Sequence, residues 1–208
     1  MEVYFRTRGD FRVVHEPFAD SYWKGRDSNE VLQKLKLSVA TSDAPVFIKD
    51  IAHHLPKSIR EDKDFICSFT HVILVRAPLA AFHSHIRVNP QVKPHEFGYQ
   101  ALFETLRQIQ RLTGKTPYIL IADDLTSNPS ETIELLCKSL DLEHLAEALS
   151  WEAKEEKDWR AAQKWQARAA SSKGFEKTSD CSLPPLPLDY KEIFELHRRY
   201  YLEILAQL

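Results

Sequence analysis

The chain has 208 residues, of which 43% are hydrophobic and 28% are charged, and its formal net charge is −2. This composition is typical of a folded globular domain and excludes an extensively disordered chain. A net charge so close to zero gives no general attraction to nucleic acid, and no apolar run approaches the ~20 residues of a membrane helix.

The first quarter of the chain predicts two strands with helices before and between them. Residues 1–8 indicate a helix that ends at Gly9, because glycine commonly closes helices. The Val-rich run 11–15 and the run 45–49 predict strands. Between them, Ser28 begins an amphipathic helix with apolar residues at a 3.6-residue period.

The remaining three quarters continue the same alternation of strands and helices. Residues 70–75 and 117–122 predict two further buried strands, and Pro78 suits the first turn of the helix between them. A second helix, at about 95–113, ends at Gly114, and Asn128 with Glu131 resembles a capping box. The last predicted elements are a Trp-rich stretch at 151–170, an irregular loop and a helix at about 189–206.

Continuously apolar strands that alternate with helices predict an α/β fold with a mainly parallel sheet covered on both faces. No linker divides the chain, so we expect a single domain over residues 1–208. In such sheets ligands bind at the carboxyl ends of the strands. The polar residues predicted at these ends are His15, Glu16, Lys49, Asp50, Arg76, Asp123 and Asp124.

The segment VRAPLAAFHS places Arg76 at the end of a strand and Ser84 eight residues later, on a helix. The arginine fork suits a phosphate, and the serine hydroxyl can face the same crevice. On spacing alone, the alternative is an arginine that pairs with a carboxylate and a serine that faces solvent. A complete glycine-rich phosphate loop is absent, since neither GxGxxG nor GxxxxGK[ST] occurs.

VRAPLAAFHS is similar to the sulfotransferase segment that binds the 3′-phosphate of 3′-phosphoadenosine 5′-phosphosulfate (PAPS), with Arg76, Pro78 and Ser84 matching. HEPF at 15–18, VFIKDIAHHL at 46–55 and ADDLTSNPSETIELLCKSLDL at 122–142 resemble a bacterial-type sulfotransferase-like subgroup. The resemblance implies a three-layer, P-loop NTPase-like fold. It also implies transfer of a sulfuryl group from PAPS to a hydroxyl or amine of a small molecule.

The resemblance fails at the front of the chain. The family has a first strand and a PRSxST-type loop that cradle the 5′-phosphosulfate, whereas residues 1–8 resemble the helix that follows this loop. We therefore expect an N-terminally shortened domain, through a start assigned at an internal methionine or through natural shortening. The family's acidic residue after the arginine is Ala77 here.

The general base is not assigned by the resemblance. Many sulfotransferases carry a lysine at the position of Lys49 and a catalytic histidine two residues later, but that position is Ile51 here. The alternatives are His15, Glu16, Asp50, His53 and His54, because histidine titrates near neutrality and burial can raise a carboxyl pKa. We favour Glu16, which follows a strand at the expected ligand edge.

Other residues of the site follow from position and resemblance. Lys173 and Gly174 resemble the segment that closes over the 3′-phosphate, and Arg168 precedes them. The aromatic residues Phe18, Tyr22 and Trp23 are the candidates for lining the acceptor pocket. We expect the tryptophans at 151, 159 and 165 to serve in packing.

Two classes of function remain: a PAPS-dependent sulfotransferase, and a non-catalytic sulfotransferase-like protein that keeps the fold for binding or assembly. A nucleotide phosphotransferase ranks lower, because the chain has no P-loop lysine. The expected partners are PAPS, its product adenosine 3′,5′-bisphosphate and a small-molecule acceptor, without nucleic acid, membrane or metal; a homo-oligomer is left open. Cys67, Cys137 and Cys181 form no CxxC pair, and residues 1–10 lack a signal peptide, so we expect a cytoplasmic protein.

Overall fold

The computed structural model describes residues 1–177 and 183–208. Cys181 lies outside the described residues, while Cys67 and Cys137 are free thiols. The strands are β1 (Arg12–His15), β2 (Val46–Lys49), β3 (Val72–Val75) and β4 (Tyr118–Ile121). The helices are α1 (Glu2–Arg8), α2 (Ala19–Lys24), α3 (Ser28–Ala40), α4 (Lys57–Arg60), α5 (Lys63–Cys67), α6 (Pro78–Val88), α7 (Tyr99–Thr113), α8 (Ala122–Ser127), α9 (Pro129–Ser139), α10 (Gln163–Ser171) and α11 (Lys191–Leu205).

All four strands form where the apolar runs predict them, and both pairings are parallel. β1 pairs with β2 in a register that sets His15 beside Lys49, and β3 pairs with β4 so that Val75 lies beside Ile121. Within the described residues these are two separate two-stranded sheets. The α/β class and the parallel pairing are therefore confirmed, and the structure is mostly helical.

Alternate residues of the strands enter two different apolar clusters. Val14 and Ile48 contact a cluster built from α3, α5, α6, α7 and α11, with Phe82 and Phe97 stacked 3.6 Å apart near its centre. Val13, which precedes Val14 in β1, contacts a second cluster from α1, α8 and α9 that includes the buried Tyr4. Both faces of the strands are thus covered, as their continuous apolar character predicts.

Glycines end helices as predicted at Gly9 and Gly114, which have φ of 75° and 70°. The helix predicted at 95–113 is wrong at its start, because Gly98, at φ 81°, separates a 3-10 turn (Pro94–Phe97) from α7. The capping box predicted at Asn128 is also wrong. The backbone N–H of Asn128 donates to Asp124 O (2.8 Å) and so closes α8. It is therefore not available to the Glu131 side chain.

Candidate functional site

A chain of polar contacts lies at the carboxyl ends of β1 and β2. His15 Nδ1 donates to Glu2 Oε2 (2.7 Å), and His15 Nε2 lies 3.8 Å from Glu16 Oε1. The same Glu16 oxygen forms an ion pair with Lys49, next to it in the sheet. Three of the predicted residues, His15, Glu16 and Lys49, are therefore brought together, with Glu2 as a fourth member.

Glu16 also has an unusual backbone. Its φ is 39°. Residues other than glycine, asparagine and aspartate rarely adopt a positive φ, and those that do are found preferentially at functional sites. The residue is buried. The carboxylate is therefore held in place by its ion pair with Lys49 and by a constrained main chain.

Glu2 was not singled out from the sequence, where an acidic residue in the first turn of a helix is unremarkable. It also accepts hydrogen bonds from Arg6 (2.7 Å) and from the indole N–H of the buried Trp159 (2.8 Å). Burial alone would raise the pKa of the Glu2 carboxyl, but the hydrogen bonds from His15, Arg6 and Trp159 lower the pKa to about 2. Glu2 is therefore an anion that joins α1, β1 and the Trp-rich segment.

The other candidate bases occupy a neighbouring pocket of imidazole rings. Asp50 accepts the backbone N–H groups of Phe18 (3.0 Å) and Ile51 (2.7 Å), so both of its oxygens serve the turn after β2. Burial, together with repulsion from His54, lowers the pKa of His53 to about 3. A histidine with so low a pKa is a weak proton acceptor at neutral pH, because its affinity for a proton is small.

The predicted acceptor residues differ in accessibility. Phe18 is 1% exposed and packs edge-to-face against Phe65 in the core, whereas Trp23 is 61% exposed. Tyr22 lies between them, with its hydroxyl 2.7 Å from His95 Nε2 and its ring against His54. Tyr22 and Trp23 are therefore open to a ligand in this conformation, whereas Phe18 is not. The acceptor-binding role of these three residues stays a prediction.

A cleft of about 340 Å³ lies at the carboxyl ends of β3 and β4 and includes the start of α1. Arg76, Arg168 and Gly174 line it, as do Trp151, Trp165, Met1, Asp123, Ser172, Phe175 and Glu176. Three of the five residues predicted to bind the donor are therefore brought together. Their donor-binding role stays a prediction.

Arg76 has no ion pair or side-chain hydrogen bond with any residue within 1–177 or 183–208. Its backbone carbonyl accepts the Tyr99 hydroxyl (2.7 Å), and the next N–H, of Ala77, donates to Asp123 Oδ2 (3.0 Å). The strand end is thus fixed through the main chain. The alternative raised by the sequence, an arginine engaged by a carboxylate, is not found in the described part of the chain.

The start of α1 connects the cleft with the polar chain. Glu2, in the first turn of α1, accepts the hydrogen bond from His15 in the polar chain. Met1 lines the cleft. Glu16 and Lys49 do not line this cleft; they are connected to it through His15, Glu2 and Met1.

Ser84 and Lys173 do not line this cleft. Ser84 is half-buried on α6, and Lys173 contributes its carbonyl to the Trp151 N–H (3.2 Å), next to the bridge between Ser150 and Gly174. The indole of Trp151 donates to Ser172 (3.1 Å). Trp151 and Trp159 thus serve in packing, whereas Trp165 is 47% exposed at the cleft.

None of the helices in the described part of the chain combines the length and apolar character that a membrane span requires. Among residues 1–177 and 183–208, no group of three His, Cys, Asp or Glu side chains is arranged to hold a metal ion.

Comparison with known proteins gives distant similarities. No protein family model matches the sequence. Branched-chain-amino-acid aminotransferase-like proteins 2 and 1 of Arabidopsis thaliana are each 26% identical over 162 residues, which cover 72% of this chain. The match spans 29% of the length of these curated relatives. The sulfotransferase domain from the curacin biosynthetic pathway superposes with a TM-score of 0.46 at 11% identity, covering 97% of this chain and 86% of that domain.

Proposed function

We propose that this chain is a sulfotransferase-like domain that binds the nucleotide of PAPS and transfers its sulfuryl group to a hydroxyl or amine of a small molecule. The observation that carries the proposal is the position of Arg76 at a parallel strand end, unpaired among the described side chains and facing a cleft shared with Arg168. A guanidinium that no carboxylate neutralises is suited to a phosphate. The similarity of VRAPLAAFHS to the donor-binding segment of sulfotransferases supports the same assignment.

The cleft also has acidic residues, which limit its positive charge. Asp123 is engaged by the Ala77 N–H, while Glu176 forms no ion pair with a described residue. Phosphate binding therefore depends on the two arginines acting together. Removing one of them leaves the cleft with excess negative charge.

The polar chain at β1 and β2 provides the acid–base groups of the proposed reaction. Glu16 takes the proton from the acceptor hydroxyl or amine while the new bond to sulfur forms. The bond between sulfur and the 5′-phosphate oxygen breaks, and adenosine 3′,5′-bisphosphate leaves. Lys49, paired with Glu16, stabilises the negative charge that develops on the leaving phosphate.

We infer that the two sheets are parts of one three-layer, P-loop NTPase-like sheet, with a further parallel strand between β2 and β3. β2 and β3 each have an edge with no strand partner in the described residues, and unpaired edges are generally covered in native proteins.

The transfer reaction is tested by incubating the protein with PAPS and a panel of hydroxyl and amine acceptors. Release of adenosine 3′,5′-bisphosphate is measured chromatographically. We expect acceptor-dependent release that Glu16→Gln abolishes and that Arg87→Gln, on an exposed arginine of α6, leaves unchanged. Nucleotide binding without release would favour the non-catalytic alternative, and release unaffected by Glu16→Gln would remove Glu16 as the base.

A further inference from the structure

A second cleft, of about 760 Å³, lies between α4 and α7 and shares no lining residue with the cleft at Arg76. Four basic side chains line it: Lys57, Arg60, Arg107 and Arg111. The ring of Phe103 forms an apolar part of its wall. The proposed sulfuryl transfer uses none of these residues.

The two acidic residues of this cleft are already paired. Glu104 accepts a hydrogen bond from Arg60 (2.9 Å), and Glu61 lies 3.8 Å from Lys57. Burial raises the pKa of Glu104, but the hydrogen bonds from Arg60 and Gln100 outweigh burial and hold the pKa below its usual value. Glu104 is therefore an anion that serves Arg60 and does not neutralise the remaining arginines.

Arg107 and Arg111 are held by neutral partners. Arg107 donates to Gln110 Oε1 (3.0 Å), and Arg111 donates to Gln108 Oε1 (3.2 Å). An amide oxygen orients a guanidinium without removing its charge, in contrast to a carboxylate. Neither arginine has an ion pair within 1–177 or 183–208, so the two charges, one helical turn apart on α7, remain available to a ligand.

Further contacts fix this arrangement before any ligand binds. Gln110 Nε2 donates to Thr116 Oγ1 (3.1 Å) and to Gln207 Oε1 (3.1 Å), which anchors the partner of Arg107 to the loop before β4 and to the turn after α11. A side chain that is already oriented loses less conformational entropy on binding. The position of Arg107 is therefore prepared by contacts that do not involve any ionic group.

Two side-chain donors of residues that line the cleft are buried without a partner among the described residues. Arg60 Nε and Gln108 Nε2 are shielded from solvent and have no hydrogen-bond partner in the described structure. Buried donors are usually satisfied, since an unmade hydrogen bond costs about 1–3 kcal/mol. In this conformation an oxyanion in the cleft meets the exposed guanidinium groups of Arg107 and Arg111, and it would meet Arg60 Nε and Gln108 Nε2 only if these side chains turned towards it.

We propose that the cleft between α4 and α7 binds a small polyvalent oxyanion of the phosphate-ester or pyrophosphate class, at a site distinct from the proposed PAPS site. Several oxygens on one ligand are needed to meet the guanidinium groups of Arg107 and Arg111 at once. The volume is within the ~300–1,000 Å³ usual for small-molecule sites. The binding should weaken as salt rises, because Arg107 and Arg111 are exposed.

The test is titration calorimetry of the whole chain with inorganic pyrophosphate at low salt. We expect a saturable site that remains in Arg76→Ala, with about tenfold weaker binding to this site in Arg107→Gln and in Arg111→Gln and none in the double variant. Arg87→Gln and Arg76→Ala should leave the affinity unchanged. Absence of saturable binding to the wild type overturns the proposal, as does binding that Arg76→Ala removes and Arg107→Gln does not.

A second measurement guards against variants that fail to fold. In the wild-type protein, pyrophosphate should shift the NMR signals of the Gln108 side-chain amide and Arg60 Nε. Shifts confined to residues of the other cleft, or equal loss of binding in Arg87→Gln and Arg107→Gln, overturn the proposal. Both readouts are independent of sulfuryl transfer, so failure here and failure of the proposed function are distinguishable.

Discussion

Glu2 Oε2 lies 2.7 Å from His15 Nδ1, and this hydrogen bond ties the first turn of α1 to the carboxyl end of β1. Through Glu16 the contact continues to Lys49 at the end of β2. One carboxylate in the first helix thus holds His15, whose other ring nitrogen lies 3.8 Å from the carboxylate that we propose as the general base. Glu2 is a positioning residue in this account, and its loss should affect stability as well as the site.

Replacing Glu2 by alanine should lower the free energy of unfolding by about 3 kcal/mol, because the donors of His15, Arg6 and Trp159 lose a buried acceptor. Glu2→Gln, which keeps one acceptor oxygen, should cost less. Urea unfolding measures both. Glu30→Ala, which removes an exposed helical ion pair with Lys34, should change stability by less than about 0.5 kcal/mol; equal effects of the two alanine variants would contradict the assignment.

The unfolding free energy should fall in acid because of His53. Its pKa in the folded protein, about 3, is below the ordinary value of 6.5, so the unfolded chain binds a proton that the folded chain does not. The associated stability is present above pH 6.5 and is lost as the pH falls towards 3, by up to about 1.4 kcal/mol per pH unit.

Urea unfolding at several pH values compares the wild type with His53→Leu. The variant should show a shallower loss of stability between pH 6.5 and 4. Parallel curves for the wild type and His53→Leu would show that His53 takes up its proton equally in both states.

Two glycines with positive φ provide a matched pair. A Cβ at Gly98 (φ 81°) would lie 3.3 Å from His53 Nδ1, whereas a Cβ at Gly114 (φ 70°) would meet nothing within 4 Å. Gly114→Ala should lower the free energy of unfolding by about 1 kcal/mol through its backbone conformation alone. Gly98→Ala should lower it further, because the His53 ring must also move. Thermal unfolding compares the two; a smaller loss for Gly98→Ala would contradict the close packing of His53.

The local elements were predictable because local signals determine them. The apolar runs at residues 11–15 and 70–75 fix strands within two residues of those observed, and Gly114 ends α7 where its conformational freedom suggests. The start of α7 was not predictable in the same way. Gly98 is compatible with a helix interior in the sequence, and the break becomes visible only in its left-handed backbone, with φ 81°.

The site was predictable only in part, because tertiary contacts assemble it. The strand ends led to Arg76, Glu16 and Lys49, since parallel pairing places such residues at one edge. Glu2 could not be found in this way: its partners His15 and Trp159 lie 13 and 157 residues away in the chain. The separation of the strands into two sheets likewise depends on long-range pairing that the apolar pattern does not encode.

The central claim is that Arg76 binds the nucleotide of PAPS, and calorimetric titration with adenosine 3′,5′-bisphosphate tests it most directly. The account predicts saturable binding with one site, weakened at least about tenfold in Arg76→Ala and unchanged in Arg87→Gln. Thermal unfolding should verify that Arg76→Ala remains folded. Absence of binding to the wild type, or equal affinity in the wild type and a folded Arg76→Ala variant, would contradict it.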